Sequence, residues 1–152
     1  MSQERAQTQQ NGDNNGMLEA IYENTEMGEK ALNQLIPMAE EGLFKAELQR
    51  QRNVYHDMAS QAELCLTAAG ATPKGQSAFA KMNTQLGIKM KTMTDKSTRN
   101  LAEMLSEGNY QGVLDCHKCE TDFPGATPGA KKMLRELEAF QEDNCQRLEQ
   151  YL

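Results

Sequence analysis

One stretch of the sequence combines residue types and a spacing that could do chemistry, Cys116-His117-Lys118-Cys119. Two thiols three residues apart share one face of a helix, so both could bind one metal ion or form a dithiol pair. A closed zinc site needs four ligands, and no second CxxC is present in the chain. A redox CxxC of the thioredoxin kind accompanies a βαβ pattern, which this sequence lacks. Three interpretations stay open here: ordinary buried cysteines, metal binding, or thiol redox chemistry.

The composition limits the classes of protein to consider. The chain has 152 residues, of which 38% are hydrophobic and 25% charged, which is enough for one domain with its own core. Ten Met residues and abundant Ala, Leu, Glu, Gln and Lys favour helix, and strand-like runs are missing. We therefore expect an all-α protein.

The charge and the apolar segments bear on partners and compartment. A net charge of −6 argues against a nucleic-acid binder. No window approaches about 18 consecutive apolar residues, so we expect no membrane-spanning helix. The first residues carry no apolar segment typical of a secretory signal. The sequence thus favours the cytoplasm, where the four cysteines would be reduced thiols or metal ligands more often than disulfides.

Turn and breaker residues divide the chain into elements. Residues 1–16 are almost entirely polar and predict a flexible tail, which leaves residues 17–152 as a single domain. Pro37, Gly70 and the Gly108-Asn109 pair predict breaks between helices. The expected helices are 17–36, a second that begins at 38 or 42 and ends at 69, 79–107, a short 110–120 and 129–151. The simplest arrangement is an up-down four-helix bundle whose fourth element is broken into a short and a long helix.

Apolar stripes at steps of three and four run along each helix and predict the core. Gly28 lies within the first stripe and would let a neighbouring helix approach closely. The other two cysteines, Cys65 and Cys145, lie on or near the stripes of their helices. The stripes of the first, second and last helices are Leu18, Ile21, Thr25, Leu32 and Leu35; Phe44, Leu48, Gln51, Tyr55, Met58, Ala62 and Ala69; and Leu134, Leu137, Gln141, Asn144 and Leu148.

A basic window extends from Lys74 to Arg99, with Asp95 as its single acid. It predicts either complementarity with the acidic helices or a basic face for an anionic partner.

Three runs carry a resemblance to a known group: Gly87 to Ser97, Ala102 to Leu105 and Gly108 to Gly112. Together they resemble uncharacterised bacterial helical-bundle proteins of the ferritin-like type. The resemblance covers about residues 17–152 and implies the bundle architecture, without an activity.

Ferritin-like proteins with a di-metal centre use a Glu from each of two helices and Glu-x-x-His from each of the others. Here Asn53 stands three residues before His56, and Leu114 stands three before His117, so the di-iron ligand set is missing. We expect a non-enzymatic bundle without cofactor or metal, acting through self-association as a homo-oligomer or through contacts with a protein partner. The alternative is a metal-binding or thiol-redox protein, whose candidate residues are Cys116, His117 and Cys119.

Overall fold

The computed structural model describes residues 2–40, 42–73 and 93–152. All regular structure within these ranges is helical, which confirms the all-α prediction. The helices are α1 (Ser2–Leu35), α2 (Gly42–Ala68), α3 (Thr98–Asp122) and α4 (Pro128–Leu148), with 3₁₀ turns at Ile36–Met38 and Glu149–Tyr151. Among the described residues, none of the helices combines the length and apolarity that crossing a bilayer requires.

Local signals set several helix ends. Ser97 begins α3 because its Oγ accepts a hydrogen bond from the Asn100 amide at 3.2 Å. Thr127 begins α4 in the same way through the Ala130 amide at 3.3 Å, with Pro128 at the first helical position. Gly70 ends α2 with a φ of 75°, a conformation that glycine adopts without strain.

The helices pair into two hairpins. α1 and α2 are joined by a short turn and lie side by side, with Glu29 beside His56. α3 and α4 are joined by residues 123–127, and Asn109 contacts Asn144 across this second hairpin. Both hairpins are therefore antiparallel.

The two hairpins dock in opposite directions. Asn24 of α1 lies beside Gly112 of α3, and Gly16 lies beside Phe123, so α1 and α3 run antiparallel. Since α2 is also antiparallel to α1, α2 and α3 run in the same direction. The end of α2 and the start of α3 therefore lie at opposite ends of the bundle. The up-down turn predicted between helices 42–69 and 79–107 falls largely on residues 74–92, outside the described residues.

The predicted stripes account for most of the core. The predicted positions of the first and last stripes are all buried, and the second stripe is buried at five positions. The prediction for Gly28 is confirmed, because the Tyr55 ring of α2 packs where a Cβ would stand. Cys65 and Ala69, in contrast, are exposed. The buried positions of the second stripe are Phe44, Leu48, Gln51, Tyr55 and Ala62.

The predicted start of the first helix at residue 17 differs from the structure, in which α1 begins at Ser2. Asp13 Oδ2 accepts a hydrogen bond from the Gly125 amide at 2.7 Å, and Asn14 Oδ1 accepts one from Thr127 Oγ1 at 2.7 Å. The last turn before residue 17 is polar because it binds the loop between α3 and α4, which hydropathy alone does not indicate.

The predicted break at Gly108-Asn109 is wrong, because α3 continues through both residues. The Asn109 side chain donates to the Leu105 carbonyl at 2.8 Å, one turn back in the same helix. The predicted short helix 110–120 is accordingly the second half of α3. It turns back onto α4 through residues 123–127, so among the described residues the two do not form one broken rod.

The predicted helix 79–107 is only partly testable. Residues 93–97 are non-helical and α3 begins at Thr98, while positions 79–92 lie outside the described residues. Most of the basic window from Lys74 to Arg99 lies outside them as well.

Candidate functional site

Amide and hydroxyl side chains from each of the four described helices meet inside the bundle. They are buried at positions that sequence periodicity assigns to an apolar core, or next to such positions. Because buried polar groups are stable only when they are hydrogen-bonded, their mutual contacts define the geometry of the site. The members of this amide network are Asn24, Tyr55, Asn109, Gln141 and Asn144.

Gln141 lies at the centre of the amide network. Its Nε2 donates to Asn24 Oδ1 at 2.7 Å and to the Tyr55 hydroxyl at 3.0 Å. The Tyr55 hydroxyl in turn donates to Asn109 Oδ1 at 3.0 Å, and Asn144 Nδ2 donates to the same oxygen at 3.1 Å. One chain of hydrogen bonds thus connects α1, α2, α3 and α4.

Two glycines make room for these side chains. A Cβ at Gly28 would overlap the Tyr55 ring, and a Cβ at Gly112 would overlap the Gln141 carboxamide. The Gly112 carbonyl also accepts a hydrogen bond from Asn24 Nδ2 at 3.3 Å. The absence of side chains at these two positions lets Tyr55 and Gln141 reach the middle of the bundle.

A cavity of about 370 Å³ lies against the amide network, between α1 and α3. Its size falls in the range of small-molecule sites. The apolar part of its wall comes from α1 and α3, the polar part from the network and Gln51, and two acidic residues complete it. The apolar lining is Met27, Ala31, Leu32, Leu35, Met104 and Leu105; the polar lining includes Asn24, Gln51, Tyr55, Asn109 and Gln141; the acids are Glu107 and Asp115.

Gln51 differs from the other polar residues of the wall. It is 0% exposed, and its Nε2 donates to Glu47 Oε1 at 3.1 Å. Its Oε1 is buried without a hydrogen-bond partner among the described residues. An unsatisfied buried acceptor is unfavourable by about 1–3 kcal/mol, so a donor placed against this oxygen would be stabilising.

Electrostatics near the cavity come from an ion pair and a buried phenol. Burial would raise the pKa of Glu47, but hydrogen bonds from Arg50 and Gln51 outweigh it and lower that pKa. Arg50 also reaches Asn144 Oδ1 at 3.2 Å and so connects the ion pair to the amide network. Burial raises the pKa of Tyr55, which keeps its hydroxyl protonated and able to donate to Asn109.

The candidate residues from the CxxC segment are placed on different sides of α3. Cys116 and Cys119 are 2% and 4% exposed and face the bundle, whereas His117 is exposed and contacts Glu138 of α4. The structure therefore does not gather the two thiols and the imidazole into one ligand cluster. In the described part of the chain, the group with metal-binding geometry is His117 with Glu138 and Glu142.

The two thiols lie in surroundings that keep them protonated. Burial is the main cause that raises the pKa of Cys116 to about 12, and the negative charge of the Glu138 carboxylate is the second cause. Burial likewise raises the pKa of Cys119 to about 12. Cys116 lies 3.9 Å from Asn24 Nδ2 and 3.8 Å from Gln141 Oε1, at the edge of the amide network. Because thiolates are the reactive species, these surroundings do not favour thiol redox chemistry near neutral pH.

A second cavity of about 340 Å³ lies beside the thiols, nearer the start of α1. Both Cys116 and Cys119 line it. It shares Asn24, Met27 and Asp115 with the first cavity, which we call the cavity at Gln51. Asn24 therefore lies between the two cavities, in the groove between α1 and α3.

Gln51, Gln141 and Asn144 lie on the stripes that the sequence predicts to be buried, but the stripes do not indicate that these side chains come together. The sequence feature that indicates such a group is the residue type, because an amide side chain buried at a core position needs hydrogen-bond partners from other core positions. Asn24 lies beside its helix's stripe and gave no such signal.

Comparisons with protein-family models, with curated proteins and with solved structures find no match for this chain.

Proposed function

We propose that this protein is a non-enzymatic bundle of the ferritin-like type that acts by binding, and that a small uncharged molecule occupies the cavity at Gln51. The helix directions support the ferritin-like part of the proposal. Ferritin-like bundles contain one long crossover connection. Here α2 and α3 run in the same direction and are separated by residues 69–97.

The chemistry of the cavity wall supports a ligand with an apolar body and no negative charge. Leu32, Leu35 and Met104 offer an apolar surface, and the amide network offers polar groups on another part of the wall. No Lys or Arg lines this cavity among the described residues, while Glu107 and Asp115 do, so an anionic ligand would be repelled.

The Oε1 of Gln51, which has no hydrogen-bond partner in the described part of the chain, carries the proposal. A ligand that donates an N–H or O–H to this oxygen would satisfy it, and an analogue without the donor would leave it unsatisfied. Sites built around a buried hydrogen bond discriminate strongly against analogues that cannot make it.

Binding is favoured over catalysis by the kind of polar groups present. The network consists of amides and one tyrosine, and amide side chains neither gain nor lose a proton as a stable charge near neutral pH. Burial raises the pKa of Tyr55, so its phenol does not release a proton near neutral pH either. General acid–base catalysis needs a group with a pKa near the working pH, and the network supplies none.

Indole and benzofuran test the proposal because they have nearly the same shape and differ in a ring N–H. We expect wild-type protein to bind indole about tenfold more tightly than benzofuran in titration calorimetry, since the lost hydrogen bond is buried. Gln51→Leu should remove this preference, because it removes the acceptor.

Gln61→Leu is the matched control, since Gln61 lies on α2 as well but is exposed. It should keep the preference for indole. Equal affinity for both probes, or an unchanged preference in Gln51→Leu, would contradict the proposed site.

Self-association is a second candidate function, and it is favoured by a different observation. Tyr110 and Leu114 lie one turn apart on α3 and are 63% and 43% exposed. Contiguous exposed apolar patches mark contact surfaces, and these two side chains lie next to each other on one helix face. We propose that this face pairs with a second copy of the chain.

Light scattering over a range of concentrations measures this association. We expect wild-type protein to form an oligomer and the double variant Tyr110→Lys/Leu114→Asp to be monomeric, because charges would be buried at the contact. Leu64→Asp, at an exposed position of α2, should leave the oligomer intact. A wild-type protein that is monomeric at every concentration would exclude this second function.

A further inference from the structure

Three potential metal ligands meet on the outer side of the α3–α4 hairpin. His117 comes from α3, and Glu138 and Glu142 come from α4. One ligand atom from each of the three lies within 4.8 Å of the other two. We propose that these residues bind a divalent transition-metal ion, with zinc as the representative of its class.

Helix geometry holds the three side chains together. Glu138 and Glu142 are four residues apart, so they lie on one face of α4. α3 runs antiparallel to α4 and brings His117 opposite this face, where its Nε2 contacts Glu138 Oε1. Glu138 is partly buried, whereas His117 and Glu142 are exposed. One ligand is therefore fixed by its surroundings, and two remain open to an ion arriving from solvent.

The donor atoms indicate the class of metal. One imidazole nitrogen and two carboxylate oxygens suit zinc and its neighbours in the first transition row. Calcium takes six to eight oxygen ligands, and magnesium dehydrates reluctantly, so both fit this set less well. Three protein ligands would leave at least one coordination position to water.

This site differs from a di-metal centre and from a cysteine site. It lies on the surface of one hairpin, away from the amide network in the bundle interior. It uses His117 without the thiols on either side of it, since Cys116 and Cys119 face the bundle. The proposal is also independent of the cavity at Gln51, which none of the three ligands lines.

The chain offers an internal comparison at its second histidine. His56 of α2 contacts Glu29 of α1 at 2.9 Å, which makes a surface His–Glu pair much like the pair at His117. Among the described residues, no third ligand joins His56. A difference in metal affinity between these two histidines would therefore reflect the third ligand, Glu142.

Zinc titration calorimetry on the full chain, with a chelator-treated sample and a thiol reductant that does not bind zinc, tests the proposal. We expect one zinc ion per chain. His117→Ala and Glu142→Gln should each weaken zinc binding by at least about tenfold. Substitution of residues that only hydrogen-bond to metal ligands already weakens metal binding by that factor, and these two residues are proposed as ligands themselves. His56→Ala should leave the affinity unchanged.

Cobalt substitution distinguishes the proposed ligands from the cysteines. Bound cobalt should show no near-ultraviolet thiolate charge-transfer band in wild-type protein, and Cys116→Ala/Cys119→Ala should retain one zinc ion. A thiolate band would overturn the proposal, because it would place the metal on the cysteines. Absence of zinc binding, or equal losses in His56→Ala and His117→Ala, would overturn it as well.

Discussion

Alanine at position 112 is expected to lower the free energy of unfolding by about 2 kcal/mol, although alanine favours helix over glycine by about 1 kcal/mol. The added Cβ would overlap the Gln141 carboxamide. Gln141 could move aside only by breaking its hydrogen bonds to Asn24 and Tyr55, both of them buried. Overpacking and unsatisfied amides together should exceed the gain in helix propensity.

Gly108→Ala is the control for this prediction. Gly108 lies one turn earlier in α3, and a Cβ there would meet no atom of the described residues within 4 Å. This variant should gain up to about 1 kcal/mol, so the two alanine variants should differ by about 3 kcal/mol in urea unfolding. Similar stabilities would show that Gln141 does not need the space at Gly112.

A double-mutant cycle locates the effect of Gly112→Ala more narrowly. If the clash is with Gln141, shortening that side chain by Gln141→Ala should make Gly112→Ala less destabilising than it is in the wild-type background. Additive effects of the two substitutions would contradict the clash.

Alkaline pH is expected to destabilise the metal-free protein by several kcal/mol between pH 9 and pH 11, as a consequence of Cys116 and Cys119. Each thiol has an ordinary pKa of 9.0 that is raised to about 12 in the fold. Between these values the unfolded chain has released protons that the folded chain retains. The stabilisation is therefore complete below pH 9 and is lost as the pH rises toward 12, by roughly 1 kcal/mol per pH unit for each thiol.

Urea unfolding at a series of pH values, with reductant and chelator present, measures this loss. Cys119→Ala should reduce the slope of stability against pH, because one buried thiol is removed. Cys65→Ala should keep the wild-type slope, since Cys65 is exposed. If Cys119→Ala kept the wild-type slope, the Cys119 thiol would not be the titrating group.

Sequence pattern predicted the parts of the fold that depend on one helix at a time. Leu32, Leu48 and Leu137 are buried as expected, because an apolar side chain at a stripe position has one favourable direction. Gly28 was also informative, since a glycine inside a stripe predicts close approach and Tyr55 occupies that space.

Features that depend on contacts between helices were harder to predict. Gly108-Asn109 resembles a helix break, yet Asn109 stays helical because its side chain bonds Leu105, Tyr55 and Asn144. Local propensity is a weak prior that tertiary contacts override.

The candidate sites show the same limit. The CxxC pattern indicates Cys116 and Cys119 as candidate residues. It does not indicate Glu138 and Glu142, which meet His117 but lie more than twenty positions away from it on α4. Their meeting depends on the rotation of α4 against α3, which periodicity does not specify. The cavity at Gln51 likewise depends on how the two hairpins dock.

The parallel course of α2 and α3 has a consequence for the order of folding. Each hairpin closes through a short turn, so its contacts are local and form at small loop-closure entropy. The bonds of Gln141 to Asn24 and Tyr55 join positions 117 and 86 residues apart, and they can form only when the hairpins meet. We therefore expect the hairpins to assemble first and the amides to select, in the final step, the one axial alignment in which every donor finds its acceptor.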